Sequence, residues 1–436
     1  MKLYPAYFQN LSTSERNAFR LHFTYSILEG FVAGIFALNE YVFVKSLKGS
    51  NMQLGLLFQF SVVVYVLLIL FNEILKRIQN KKKLLRITAI ITRLPLIILF
   101  FFPSSVQEVA NSTWHYLFLA IFFVYFLASP VIFPTINLFL KNVYKHEHFG
   151  KLYSYATTWN KVVMLIVTFL YGMWLDSDMM AFRYVFVFVA LAGIGSVFIL
   201  SKIEYNIREI QCESLPIFKS IRSSITRMMR ILKENRPYLH FEGGFMLYGF
   251  AFMISVTVIT LYFDKALHLN YTSVAFYKNA YNIISILMIP FFGRLIGRID
   301  PRHFAAITYS AIMLFILSLA MIEFFPINYN IWGLKLYIMM IPYVLFHSVF
   351  AATMALLWSI GSAYFCKSSD AGDYQSVHLS LTGMRALFAP TSGVIIYEWF
   401  GFFTTFIFAV IALAFAVLLM LWSYKKHGKI YKPNMK

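Results

Sequence analysis

Charge is scarce in this chain. Only 13% of its 436 residues are Asp, Glu, Lys or Arg, against about 25% in soluble proteins. Acidic residues are the scarcer sign, 19 against 38 Lys and Arg. So few charges exclude an ordinary soluble surface. Cysteine occurs twice, as Cys212 and Cys366, both in segments that the charge pattern puts in the cytoplasm, so no disulfide is expected. No phosphate-cradling glycine loop followed by Lys-Ser/Thr is present, which argues against an ATP-driven pump. No Cys/His cluster has metal spacing, and His146 and His148 flanking Glu147 are too few ligands for a site. No cofactor is expected, and no enzyme reading finds support. The first apolar run is too long for a signal-peptide core and lacks a small-residue cleavage site, so it reads as a membrane span.

Apolar residues are abundant instead. The chain is 60% hydrophobic and 19% aromatic, with 47 Phe and 28 Tyr and a mean hydropathy of +0.68, as an integral membrane protein requires. A bilayer crossing needs about 20 apolar residues. Twelve runs qualify, at roughly 18–44, 52–75, 86–103, 114–140, 152–174, 181–201, 239–263, 272–292, 304–325, 336–364, 377–398 and 401–423. The net charge of +19 would raise nucleic acid in a soluble chain. Here the bases sit in loops beside spans, so no nucleic-acid partner is expected. Placing both termini inside puts 29 of the 38 Lys and Arg in cytoplasmic segments, as the positive-inside rule asks. Short loops and tails point to a bacterial inner membrane. Asn111-Ser-Thr113 and Asn270-Tyr-Thr272 form glycosylation sequons in outer loops.

The runs divide into residues 1–201, a linker 202–237, and residues 238–436. In the linker, Lys219, Arg222, Arg227, Arg230, Lys233 and Arg236 alternate with apolar residues. That spacing suits a basic amphipathic helix on an anionic leaflet, or equally a solvated linker. The two halves repeat weakly. Leu21-His-Phe23 and Leu239-His-Phe241 each open a half, and Leu28-Glu-Gly-Phe31 lines up with Leu247-Tyr-Gly-Phe250.

Between spans 8 and 9 the chain reads Gly293-Arg-Leu-Ile-Gly-Arg-Ile-Asp-Pro-Arg302. Arg294, Arg298 and Arg302 recur every four residues, Asp300 can pair with any of them, and Gly293 and Gly297 would let the helix ends approach closely. This loop resembles the G-x-x-x-(D/G)-R-x-G-R-(K/R) signature of the major facilitator superfamily, with Asp300-Pro301 where a glycine is usual. The first-half counterpart, Lys76 to Lys83, lacks the glycines and the acid. The resemblance implies an all-α membrane protein of twelve transmembrane helices in two pseudo-symmetric six-helix bundles, working by alternating access. It also implies a gating role for Gly293, Gly297, Arg298, Asp300 and Arg302.

Transporters of this kind place their site near the midplane, where ionisable groups are costly and therefore functional candidates. Lys161 and Arg385 each lie about nine residues into their spans, the fifth of each half. Two cations at one depth suit an anionic substrate; alternatively each is paired within its own half. Lys278 extends the basic path or snorkels to water, and Tyr248 is a candidate cavity wall. Glu29, mid-span, suits a proton carrier or a fixed salt bridge to Lys161 or Arg385. His347 is next in line as carrier, or is a hydrogen-bonded structural group. Arg93, in a span peripheral in the family, reads as structural. The expectation is a monomeric secondary transporter for a small organic anion moved with protons, in contact with membrane lipids. Efflux of amphipathic compounds is the first alternative. A transporter-fold receptor or scaffold is the second.

Overall fold

A computed structural model describes residues 11–67, 78, 80–204, 217–367 and 370–429. The helices are α1 (Thr13–Phe36), α2 (Asn39–Lys45), α3 (Asn51–Val63), α4 (Lys81–Arg93), α5 (Ser112–Phe126), α6 (Ser129–Val143), α7 (His146–Ser177) and α8 (Phe182–Leu200). They continue with α9 (Ile217–Glu234), α10 (Arg236–Lys265), α11 (Tyr271–Ile296), α12 (Pro301–Ala320), α13 (Met340–Ile360), α14 (Ala371–Ala386) and α15 (Ala389–His427). Among the described residues, ten stretches are long and apolar enough to cross a membrane. One of them, Asp373–His427, has 55 residues, more than twice what a crossing needs. It holds two spans, since Gly401 with φ 79° interrupts α15. With α3, the described part of the second span, the twelve expected spans are accounted for.

Local chemistry sets the helix starts. Ser12 accepts from the Glu15 amide while the Glu15 carboxylate reaches back, a capping box. Ser50 and Gln53 repeat the device for α3. Asn270 and Asp300 cap α11 and α12 through their side chains. Span 3 loosens at Arg93, where Leu94-Pro95 turns the helix into 3-10 geometry over Leu94–Phe101.

The chain forms two compact units, one of residues 1–48 and 70–217, the other of 49–69 and 218–436. In the first, α1 packs on α7 and α8. Its contact with α7 depends on glycine: a Cβ on Gly30 would stand 2.5 Å from the Asn160 carbonyl oxygen. Asn160 Nδ2 then donates to the Ser26 carbonyl at 2.8 Å, and Thr168 Oγ1 to the Gly34 carbonyl at 3.0 Å. Small residues with backbone-directed polar groups are the usual adhesive of membrane helices. In the second unit α10 packs on α15, where a Cβ on Gly393 would run into the Ile254 backbone. Large apolar side chains such as Leu170, Leu287 and Phe415 stay exposed, as a lipid-facing surface allows.

One feature departs from the sequence reading, and one open alternative is decided. The expected outer loop between spans 9 and 10 contains a β-hairpin, β1 (Asn328–Ile331) paired antiparallel with β2 (Leu334–Tyr337). Trp332 and Gly333 take positive φ at its turn, the geometry that closes a two-residue hairpin. Apolar alternation here is too short to register against the flanking spans. Residues 217–234 are helical, as the basic periodicity allowed; Ile225 and Met229 are exposed on this helix, and Arg227 pairs with Asp373 at 3.2 Å.

The glycine contact is testable. Gly30→Val should cost about 1–3 kcal/mol of stability, the scale of overpacking a close contact. Gly293→Val, whose Cβ would meet open space, should leave stability unchanged. Thermal unfolding of the purified protein checks both, and equal melting of Gly30→Val and the parent would contradict the packing argument.

Candidate functional site

In the first unit the ionisable centre is Glu29, but its partner is Arg93. Arg93 Nη1 donates to Glu29 Oε1 at 2.8 Å, to Ser196 Oγ at 3.0 Å and to the Gly193 carbonyl. Ser196 Oγ also lies 2.5 Å from Glu29 Oε1. Arg93 is 4% exposed and Glu29 19%. Glu29 is in a salt bridge, but not the one expected. Neither Lys161 nor Arg385 makes it. The end of α4 delivers Arg93 to the space beside α1 and α8, and Gly193 leaves room for it, since a Cβ there would stand 3.0 Å from Arg93 Cδ. Lys161, half-buried on α7, has no ion pair or hydrogen bond among the described residues.

In the second unit two stripes face each other. Glu242, Phe245, Tyr248 and Gly249 lie on one side of α10, by spacings of three and four. His378, Thr382 and Arg385 lie on one side of α14 by the same rule. All are buried: Arg385 2%, Tyr248 4%, Glu242 2%, His378 1%. Arg385 Nη1 donates to the Phe245 carbonyl at 2.5 Å. Its guanidinium lies 5.6 Å from the Phe245 ring centroid and 5.7 Å from that of Tyr248, a cation–π arrangement. Gly249 provides the space, because a Cβ there would overlap the guanidinium. Arg385 Nε has no hydrogen-bond partner, and no carboxylate lies within ion-pair distance among the described residues. Tyr248 stacks on Tyr309 at 5.1 Å and 7°.

The pair at the other end of the stripes was not singled out from sequence. His378 Nδ1 lies 3.1 Å from Glu242 Oε1 and 3.2 Å from Oε2. Phe245 and Trp358 enclose the imidazole edge-on at 4.3 and 5.0 Å. The signal was available: His378, Thr382 and Arg385 share one face of a span, and Glu242 sits one turn from Phe245.

His347 is sandwiched between Tyr281, at 3.7 Å and 8°, and Phe315, at 4.4 Å and 10°. Its Nδ1 is buried without a hydrogen bond, so the hydrogen-bonded structural group expected at this position is instead a stacked one. Lys278 is half-buried on α11 and close enough for its charge to act on His347.

The loop after α11 is fastened within its own unit. Asp300 and Arg302 are wholly buried and pair at 2.9 Å. Arg302 also donates to the Ser423 carbonyl at 2.8 Å and the Gly428 carbonyl at 2.5 Å, both at the end of α15. Arg298 is exposed. The expected close approach at the glycines is absent: a Cβ on Gly293 meets nothing within 4 Å, and one on Gly297 only the Arg294 carbonyl oxygen at 3.8 Å. The asparagine-like cap of Asp300 and the Arg302 bonds shape this turn instead. A groove of about 600 Å³ lined by His303, Ile307, Leu314, Phe346, Val417 and Leu421 touches none of the candidate residues.

Two helical units built from long apolar helices define a polytopic membrane protein. The profile of the Major Facilitator Superfamily matches residues 21–365, and the chain belongs to that family. It is similar in fold to the nucleoside transporter NupG, with 16% identity, a TM-score of 0.66, and coverage of 97% of this chain and 100% of that one. It is also similar to a D-xylose-proton symporter, at 13% identity and TM-score 0.66 over 95% and 98% of the two chains. A POT family transporter in complex with 5-aminolevulinic acid gives 12% identity and TM-score 0.69 over 95% and 96%. No curated protein sequence matches the chain.

The Glu29–Arg93 pair generates a stability prediction. Glu29→Gln leaves a buried guanidinium without its counter-charge and should cost about 3–5 kcal/mol, whereas replacing both partners by apolar residues of similar volume should cost much less. Thermal melting of Glu29→Gln beside Glu29→Leu/Arg93→Met measures the difference; equal losses would mean the pair is not a coupled unit.

Proposed function

We propose that this transporter moves a small organic anion together with protons, by alternating access, in a bacterial inner membrane. The observation that carries the anion reading is Arg385. It is 2% exposed, holds one backbone carbonyl, keeps an unsatisfied Nε and has no carboxylate partner among the described residues. A buried guanidinium without a carboxylate in contact is expensive in a membrane interior, even with the Glu242 charge farther along the stripes. Its free donors match a carboxylate or phosphate group. Lys161, in the first unit, is also without a partner among the described residues and is a second cation available to an anion. Tyr248 shapes the space at Arg385, and Lys278 adds to the basic path. Proton coupling is favoured by the likeness to a D-xylose-proton symporter. Glu29, clamped by Arg93 and Ser196, serves as a fixed charge pair. His347 serves as aromatic packing. The Asp300–Arg302 fastening holds the end of the last helix during the cycle, and Gly293, Gly297 and Arg298 belong to its turn.

Binding measured by thermal shift against carboxylates and phosphates tests this. An anion that raises the melting temperature should bind Arg385→Ala and Lys161→Ala more weakly by about 1.5 kcal/mol or more each, the scale of a charge-assisted hydrogen bond. Arg385→Lys should not restore affinity, because an ammonium cannot reproduce the guanidinium fork. Unchanged affinity in folded variants would overturn the assignment.

Orientation is proposed from charge, with both termini and residues 202–237 cytoplasmic. Single cysteines at positions 110 and 330 should label from outside, and one at 220 only from inside. Outside labelling at 220 would reverse the topology.

A further inference from the structure

Glu242 and His378 form a buried carboxylate–imidazole pair to which the proposed anion site assigns no role. The Nδ1 contact with both carboxylate oxygens makes Nδ1 the donor when Glu242 is ionised. In neutral imidazole that leaves Nε2 as a bare acceptor, and His378 Nε2 is buried without a hydrogen-bond partner. An imidazole held by one nitrogen and open at the other is a proton acceptor with its counter-charge already in place.

The position of Arg385 adds a second observation. It lies seven residues beyond His378 on the same face of α14, about 10 Å along the helix. Glu242 acts electrostatically on Arg385 and on Tyr309, so the groups share one field. With His378 neutral, Glu242 and Arg385 cancel. One proton on His378 leaves the cluster at plus one. One monoanion on Arg385 leaves it at minus one. Both together restore neutrality. An uncompensated charge in this apolar surrounding is costly, so each ligand favours the other, and the favour is reciprocal.

We propose that His378, backed by Glu242, binds the coupling proton at Nε2, and that Arg385 links its loading to occupation by a monoanion. The step forms an Nε2–H bond, breaks none in His378, and converts the imidazole to an imidazolium paired with Glu242. This deepens the anion reading and rests on it for the coupling, though not for the proton site itself.

The other titratable groups facing the pair are few. Tyr238 and Tyr248 come from α10 and Tyr309 from α12. Tyr374 shares α14, its carbonyl accepting from the Tyr238 hydroxyl at 2.7 Å. Cys366 follows the 3-10 turn Ser362–Phe365, and its charge acts on Tyr238. Asp373 is exposed and paired with Arg227 of α9. From α13 the neighbour is Trp358, and α3, packed on α14, has no titratable residue. Among the described residues, Arg385 and Glu242 are therefore the full charges that bear most directly on His378.

Imidazole nitrogen NMR of histidine-labelled protein in detergent micelles reads this directly, with benzoate as the anion probe. The His378 signal is assigned by its loss in His378→Gln. If that variant fails to fold, the response of Nδ1 to Glu242→Asp assigns it. The expected result is an Nδ1–H tautomer that takes a second proton at Nε2 as the pH is lowered. Arg385→Gln should tighten proton binding at least threefold by removing a like charge, and Glu242→Gln should weaken it tenfold or more. Benzoate should tighten it in the parent and not in Arg385→Gln. A His378 signal that ignores pH, or a midpoint unmoved by both charge variants, overturns the proton site. A midpoint that answers Arg385→Gln but not benzoate leaves the proton site standing and counts against the coupling and the anion reading beneath it.

Discussion

A guanidinium taken out of water must be given partners, and among the described residues three buried arginines meet that demand differently. Arg93 is neutralised by Glu29 and fixed by Ser196 and a backbone carbonyl. Arg302 is neutralised by Asp300 and bound to two carbonyls at the end of α15. Arg385 has one carbonyl and two aromatic faces. The first two are complete and read as structural fastenings, tying α4 to α1 and α8, and the head of α12 to the tail of α15. The third is incomplete in charge. That difference, more than the presence of an arginine in a span, separates a functional candidate from a brace.

The apolar surroundings give the difference its weight. In an apolar surrounding charges are screened less than at a water-facing surface, so an ion pair or its absence counts for more. Close helix contacts at Gly30 and Gly393 shut the interior by bringing backbones together, whereas Gly193 and Gly249 leave room for the Arg93 and Arg385 guanidinium groups. Small residues thus do two opposite jobs in the same bundles. The Glu242–His378 pair is buried like Arg385 and Glu242 acts electrostatically on it, so a proton on the pair and an anion on Arg385 would bear on each other.

The spans were legible in the sequence because each is a long apolar run, and their order carried the family resemblance. Break points at Leu94-Pro95 and Gly401 fell where proline and glycine stand. Charged residues within spans were legible as candidates for the same reason, that their burial is costly. Which of them pair was not legible. Arg93 came from a span read as peripheral, and only the packing of α4 beside α1 selects it over Lys161 as the partner of Glu29. The glycines of the loop Gly293–Arg302 matched a pattern without the crowding that would demand them. Neither His378 nor Glu242 carries a signal when read singly. Their facing stripes appear only when the spacing on α10 and that on α14 are laid side by side. The hairpin at 328–337 is set by turn geometry at Trp332-Gly333, a local signal masked by strongly apolar neighbours.

The central claim is that Arg385 is held open for an anion. A structure of the protein with a transported anion bound tests it most directly. The account predicts an anionic oxygen within hydrogen-bond distance, about 2.7–2.9 Å, of the Arg385 guanidinium, with Phe245 and Tyr248 still lining it. A bound anion elsewhere, with Arg385 still closed on the Phe245 carbonyl and its Nε unsatisfied, would contradict it.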